Sequence, residues 1–194
     1  MAFELWFVRH AATEWSETGR HTSRTDVPLT DGGRAAARAL EPTLVAHAFA
    51  AVFTSPRSRA RETAALAGFP DAVVFDDLAE WDYGELEGLT SEQIRARGRP
   101  FTAWSIWSGP VPGGEHLEEV AARARAVLAR AAAVDGDVLC FGHGHALRVL
   151  LAVALDLQPV AGAHFALAPA TVNVIGSERD TRALCAFNWR PELT

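Results

Sequence analysis

Leu5-Trp6-Phe7-Val8-Arg9-His10 decides the reading of this chain: an apolar strand runs straight into an arginine and a histidine. A second run, Val138-Leu139-Cys140-Phe141-Gly142-His143, ends the same way. In an open α/β sheet, ligands bind outside the carboxyl ends of the strands. Two histidines and an arginine delivered to that edge predict a cationic, nucleophilic cup for an anion, above all a phosphoryl group.

Working outward from these runs, strands alternate with helices. A strand at about 4–9 leads through a polar loop to a helix at about 31–47, opened by Thr30-Asp31-Gly32. Ala51-Val52-Phe53-Thr54 is the next strand. Ser55-Pro56 is expected to start a helix, with Ser55 as N-cap and Pro56 at the first helical position. Ala72-Val73-Val74-Phe75 follows as a strand, and residues 76 to 114 are irregular and rich in Trp and Gly, with a helix from Ser91 to Arg97. A helix from Glu115 to Ala133, a strand at 138–142 and a helix at about 144–156 come next. Two strands near 171–176 and 182–188 then form a hairpin around Arg179-Asp180. The alternation predicts an α/β fold, a three-layer α/β/α sandwich around a mainly parallel central sheet. Residues 1–194 are expected to form a single domain, with a short cap segment at about 76–114.

Composition narrows the partners. The chain of 194 residues carries a net charge of −6, which argues against a general affinity for nucleic acid or an anionic membrane surface. No apolar run reaches membrane-spanning length, because Arg123, Arg125 and Arg130 break the alanine-rich stretch 121–134. Met1-Ala2-Phe3-Glu4 lacks a basic n-region, so a cytoplasmic location is expected. Cys140 and Cys185 both lie in apolar runs and read as two buried thiols rather than a redox pair.

Three further segments carry chemistry. In Ser55-Pro56-Arg57-Ser58-Arg59-Ala60-Arg61-Glu62-Thr63, arginines flank a helix start at a strand end. Free N–H groups there point toward the edge that holds His10, and an arginine fork can grip a phosphate by two bonds. Leu78 to Leu89 carries Glu80, Trp81 and Tyr83 and is punctuated by Gly84 and Gly88, as a folded-over acidic wall would be. Gly142-His143-Gly144-His145 permits a sharp turn and close ligand approach. A metal reading of that turn finds no further ligand at suitable spacing, so neither metal nor cofactor is expected.

Taken in order, these motifs resemble the histidine phosphatase superfamily in its phosphoglycerate-mutase-like branch. Arg9-His10-Ala11 stands for the Arg-His-Gly signature, and Gly19 through Thr30 for the phosphate-loop region. Ser55-Pro56 to Thr63 matches the second-arginine motif at Arg59, Leu78 to Gly88 the acid loop at Glu80, and Gly142-His143-Gly144 the second histidine. The resemblance implies that His10 is the nucleophile and forms a phosphohistidine. It implies that Arg9, Arg59 and His143 hold the nonbridging oxygens and that Glu80 is the proton donor. Ser16, Thr22, Ser23, Trp81, Gly144 and His145 are the expected substrate-binding residues.

The chain departs from the family pattern at Ala11, Ser16, Ser23 and His145, and Arg57 and Arg61 read as surface residues. The segment from Thr90 to Pro112 is short, and Arg95, Arg97 and Arg99 are separated where mutases carry an adjacent pair. This favours a metal-independent phosphatase acting on small monoesters such as sugar phosphates, a phosphoric monoester hydrolase. A bisphosphoglycerate-dependent mutase is the alternative, and a noncatalytic phospholigand-binding module stands behind it. A homodimer is allowed for. Trp15, Trp81, Trp104 and Trp107 either touch substrate at the mouth or pack the cap.

Overall fold

The computed structural model describes residues 3–191. Strands β1 (Leu5–Arg9), β2 (Ala51–Thr54), β3 (Val73–Val74), β4 (Val138–Gly142), β5 (Val172–Glu178) and β6 (Thr181–Trp189) form one sheet in the order β3-β2-β4-β1-β5-β6. The pairs β3–β2, β2–β4 and β4–β1 are parallel, whereas β5 and β6 join as antiparallel neighbours on the far side of β1.

Side chains alternate across a pleated strand, and the two faces fill two separate cores. Leu5, Phe7, Phe53, Val138 and Cys140 face α6 (Leu117–Ala132) and α7 (Gly144–Ala154), meeting Val120, Val127, Leu147 and Leu151. Val8, Leu139, Phe141, Val172 and Val174 face the opposite way. They meet Ala37 of α2 (Asp31–Arg38), Leu44 of α3 (Glu41–Val45) and Ala64 of α4 (Ser58–Leu66). Covered on both sides, β4 is buried at every residue, which is why its sequence is apolar without alternation. The expected three layers are present.

Several boundaries differ from the sequence reading, each for a local reason. The single helix expected at about 31–47 is two, α2 and α3. Pro42 has no N–H to give the Arg38 carbonyl, and its ring crowds that carbonyl. Ser55 is not an N-cap and Pro56 is not helical: α4 begins at Ser58. Its first N–H is met by Asp26 Oδ1 (3.0 Å), which also accepts from the Ser58 hydroxyl. β3 keeps only two residues of the expected four, and both are exposed at the sheet edge. α6 starts at Leu117 rather than Glu115, because Glu119 turns back to accept the His116 N–H (2.7 Å). The hairpin turns at Arg179-Asp180 as expected.

The two thiols part company. Cys140 is buried in β4, and burial pushes its thiol up to about 12. Cys185 lies on the outermost strand β6 and is exposed, which corrects the reading of two buried thiols. No helix among the described residues is long and apolar enough to cross a membrane.

Between β3 and α6 the chain forms the cap: 3₁₀ turns at Asp76–Leu78 and Gly84–Leu86, and the short α5 (Ser91–Ala96). Gly84 sits at φ +51°, and a Cβ there would lie 2.2 Å from the Pro112 carbonyl oxygen. That contact, with Glu85 N–H donating to Pro112 O (2.9 Å), folds the acid loop onto the segment leading to α6.

Candidate active site

Parallel pairing brings the strand ends into register. Arg9 lies opposite Gly142, and Thr54 opposite Phe141. One residue further on, the His10 N–H donates to Gly142 O (2.8 Å) and the Ser55 N–H to Phe141 O (2.9 Å). The His10 and His143 rings therefore stand side by side, with centroids 5.1 Å apart at 60°.

Hydrogen bonds fix how each ring is used. His10 Nδ1 lies 2.8 Å from the Ala11 carbonyl, which can only accept, so Nδ1 carries the hydrogen and Nε2 keeps its lone pair. Burial, reinforced by the charges of Arg9 and Arg59, holds this imidazole well below its ordinary pKa and therefore neutral. His143 is fully buried, with Nε2 2.6 Å from Ser55 Oγ. Ser55 Oγ already accepts from the Arg57 N–H (3.3 Å). Among the described residues the hydroxyl hydrogen has no acceptor other than His143 Nε2, so it goes there, which assigns the imidazole hydrogen to Nδ1. Burial, then the charges of Arg59, His10, Arg57 and Arg9, push His143 well below its usual value too.

That Nδ1–H has no partner. Among the described residues, the buried side-chain nitrogens without a hydrogen bond are Arg9 Nε, Arg57 Nε, Arg59 Nε and His143 Nδ1. Unpaired buried donors are rare and call for an explanation. The two neighbouring arginines are otherwise well anchored. Arg9 Nη1 donates to Leu167 O (2.6 Å), while Arg59 donates from Nη1 to Thr25 O (3.0 Å) and from Nη2 to Thr22 O (3.1 Å) and Ser23 O (3.2 Å). Arg59 is wholly buried, and burial lowers the pKa of both guanidinium groups.

Glu80 closes the opposite side. Its Oε1 accepts from the N–H groups of Trp81 (2.9 Å) and Ala146 (2.8 Å), and its Oε2 from His145 N–H (3.1 Å). The carboxyl group thus caps the N-terminal turn of α7. Oε2 retains the spare capacity. The Tyr83 hydroxyl lies against the same carboxylate and also 2.7 Å from His145 Nδ1. Burial, then the Glu80 charge, raises the Tyr83 phenol well above its usual pKa.

These groups border one crevice of about 150 Å³, lined by Arg9, His10, Ser16, Gly19, Arg20, His21, Thr22, Glu80, Tyr83, Gly144, His145, Arg148 and Leu167. Arg59 and His143 lie buried behind it. Of the expected substrate-binding residues, Ser16, Thr22, Gly144 and His145 line the opening. Ser23 does not: its hydroxyl and N–H both go to Glu87, at 2.6 and 2.9 Å. Trp81 does not either. It is buried in the cap core with Nε1 donating to Glu115 O (2.8 Å), edge-on to Trp107. None of the four tryptophans is among the residues that line the crevice. Arg57 is half-buried, with its Nε enclosed, rather than a surface residue, while Arg61 is exposed.

Sequence reading missed Ser55 as a partner of His143, and gave no role to His21, Arg20 or Arg148, while Tyr83 does stand in the wall where it was expected. Arg148 had a signal: four residues after Gly144, it shares that residue's helix face. A group with metal-ligating atoms within reach of one another does exist at Glu4, His47 and Asp137. It lies by the opposite ends of β1 and β4, where His47 Nε2 is already bonded to Asp137 Oδ2 (2.7 Å).

The comparisons agree with this geometry. The family model of the histidine phosphatase superfamily (branch 1) matches residues 5–190, and the chain belongs to that family. It is 39% identical over 187 residues to an acid phosphatase of Mycobacterium tuberculosis, covering 94% of this chain and 91% of that one. It is 35% identical to the sedoheptulose 1,7-bisphosphatase of Saccharomyces cerevisiae, over 77% of this chain and 66% of that one. Other relatives are named as 2,3-bisphosphoglycerate-dependent phosphoglycerate mutases, one from Gloeobacter violaceus at 36% identity over 80% of this chain and 77% of its own. A solved structure of a Mycobacterium tuberculosis open reading frame superposes with a TM-score of 0.89 at 36% identity, covering 97% and 98% of the two chains.

Proposed function

We propose that this protein is a phosphatase of small phosphate monoesters, working through a phosphohistidine on His10 as a single catalytic unit. One observation carries the reading: the unpaired buried nitrogens Arg9 Nε, Arg59 Nε and His143 Nδ1 belong to the two guanidinium groups whose charges act on the neutral His10 and to the ring whose centre lies 5.1 Å from it. A phosphoryl group, with three oxygens rich in lone pairs, is the ligand that satisfies several such donors at once.

His10 Nε2 attacks phosphorus, the P–N bond forms and the ester P–O bond breaks. Arg9, Arg59 and His143 hold the nonbridging oxygens while charge redistributes, and preorganised donors of this kind supply the largest share of phosphoryl-transfer catalysis. Glu80 Oε2 gives a proton to the departing alkoxide. It then takes one from the water that attacks phosphorus and breaks the P–N bond, the part played by a positioned acid–base group. Arginines provide the positive charge, so no cofactor enters this scheme.

Hydrolysis is favoured over mutase chemistry because Arg95, Arg97 and Arg99 do not border the crevice, leaving no adjacent arginine pair facing substrate. The test is turnover of p-nitrophenyl phosphate in chelator, with acid-quench trapping of an acid-labile, base-stable phosphoenzyme. His10→Ala should abolish both. Undiminished turnover in that variant refutes the mechanism, and isomerisation of 3-phosphoglycerate faster than its hydrolysis replaces it with the mutase reading. A folded protein that binds phosphate but forms no phosphoenzyme would be a noncatalytic binding module.

A further inference from the structure

The end of the sheet opposite the crevice holds a second group of polar side chains. Glu4 precedes β1, Asp137 precedes β4, and His47 lies in the loop between α3 and β2. Parallel pairing sets the first two side by side: Leu5 lies opposite Val138, and the Val138 N–H donates to Glu4 O (3.0 Å). The Ala50 N–H donates to Asp137 O (2.8 Å), which brings the His47 loop to the same place. One ligand atom from each of the three side chains lies within 4.8 Å of the other two. The length of β1, about 16 Å, separates this group from the crevice.

Two carboxylates are thus held together without a fixed cation. Among the described residues neither Glu4 nor Asp137 pairs with an arginine, and His47 Nε2, 2.7 Å from Asp137 Oδ2, is the basic partner. Like charges repel at this range, and a cation set between them removes the penalty. Both carboxylates are aimed by neighbours: Trp6 Nε1 donates to Glu4 Oε2 (2.8 Å), and the Glu4 N–H to Asp137 Oδ1 (2.7 Å). Each keeps a second oxygen. Trp6 and Phe49 flank the imidazole at ring-centre distances of 4.5 and 4.6 Å. Donors that orient the ligands, with apolar walls around them, are what a bound metal requires of its surroundings. The His47 and Asp137 side chains remain 28% and 26% exposed, so an ion can reach them from solvent.

We propose that Glu4, His47 and Asp137 form a binding site for a divalent transition-metal ion of the zinc class, away from the catalytic crevice. One imidazole nitrogen with two carboxylate oxygens is a zinc-type donor set, whereas calcium and magnesium take oxygen ligands in greater number. With bonds of about 2.0–2.1 Å, tetrahedral ligand atoms around zinc stand about 3.4 Å apart. The spacings here, from 2.7 Å to at most 4.8 Å, bracket that value, so partly exposed side chains need move only slightly. Water completes the fourth position. The ion takes the place of the hydrogen between Nε2 and Oδ2: a neutral imidazole keeps its one hydrogen at Nδ1, and a charged one releases a proton. Bound there, the metal ties three segments distant in sequence and clasps the start of β1 and β4 to the loop after α3. Its role is to stabilise the fold, with no part in the reaction.

Calorimetric titration of the tag-free, chelator-stripped protein with Zn2+ tests this, in a Cys185→Ser background that removes the exposed thiol. One equivalent should bind, and Mg2+ or Ca2+ in large excess should not displace it. His47→Gln, Asp137→Asn and Glu4→Gln keep the side-chain shape and lose a ligand. Each should weaken binding by at least the ~10-fold that loss of a mere orienting partner costs. His10→Ala should bind as before, which separates this site from the histidines of the crevice. With free zinc at about 100 times its Kd, the unfolding equilibrium constant should drop about 100-fold, seen as a higher melting temperature. That rise should vanish in His47→Gln. The shift is read within each variant, with and without zinc, so a variant that starts less stable still reports. An absent titration, or undiminished affinity in His47→Gln or Asp137→Asn, refutes the site, as does loss of binding in His10→Ala. None of these readouts uses catalysis, so the result is independent of the phosphatase reading.

Discussion

Ser55→Ala isolates one hydrogen bond of this site. The Ser55 hydroxyl receives the Arg57 N–H and gives its only hydrogen to His143 Nε2 at 2.6 Å, in a fully buried setting. Removing it leaves the Nε2 lone pair without a donor, a loss of roughly 1–3 kcal/mol for a buried acceptor. The imidazole can relieve this by moving its hydrogen from Nδ1 to Nε2, which strips the phosphoryl position of a donor. If the cost falls on the transition state, kcat should drop about 10- to 100-fold, since ~1.4 kcal/mol is tenfold in rate. KM should change little, because Arg9 and Arg59 still hold the ground-state phosphate. Steady-state turnover of p-nitrophenyl phosphate, with 15N chemical shifts of His143 as a direct report on the tautomer, makes the assay. Ser55→Thr, which restores the hydroxyl, should regain part of the rate. Wild-type kcat in Ser55→Ala, or an Nε2–H signal from His143 in the unmodified protein, would refute the argument.

Acid should destabilise the fold over a defined window. Burial holds His10, His21, His143 and His145 below their ordinary pKa. The unfolded chain therefore binds more protons than the fold once pH drops below about 6.5, and each proton of difference costs about 1.4 kcal/mol per pH unit. Melting temperature should be level above that pH and fall from there toward pH 5.5; a rising trend on acidification would contradict the neutral, buried state of these rings. Glu87→Ala should loosen the loop that Arg59 grips. The carboxylate accepts from Ser23 N–H and hydroxyl and from Thr25 N–H (3.0 Å), charged bonds worth roughly 1.5–3 kcal/mol each at most. A higher KM for any phosphate ester together with a lower melting temperature is the expected result, and an unchanged KM would detach this loop from binding. A thiol reagent should modify Cys185 in the folded protein and reach Cys140 only on denaturation. Rapid labelling of both would contradict the burial of β4.

The fold was legible where local pattern and tertiary burial say the same thing. Val138 to Phe141 is apolar without a break because α2–α4 cover one face of β4 and α6–α7 the other. The site was legible at strand ends for a related reason: Arg9-His10 and Gly142-His143 leave adjacent parallel strands in register. Legibility ended where side-chain direction is settled by partners far along the chain. Ser55-Pro56 fits a helix start by local chemistry, yet the hydroxyl turns to His143, 88 residues away, and Asp26 serves the helix instead. Trp81 follows Glu80, but in an extended loop consecutive side chains point to opposite sides. The carboxylate enters the crevice while the indole is buried against Glu115. Arg148 lies between these cases, since helical period alone puts it on the face of Gly144. A strand-end motif therefore marks where chemistry begins, and the period of the helix that follows indicates which side chains extend the site. Whether such a side chain serves a ligand or the scaffold is decided by how many of its donors the scaffold uses, and Arg148 gives two of its five N–H groups to Gly162 and Ala163.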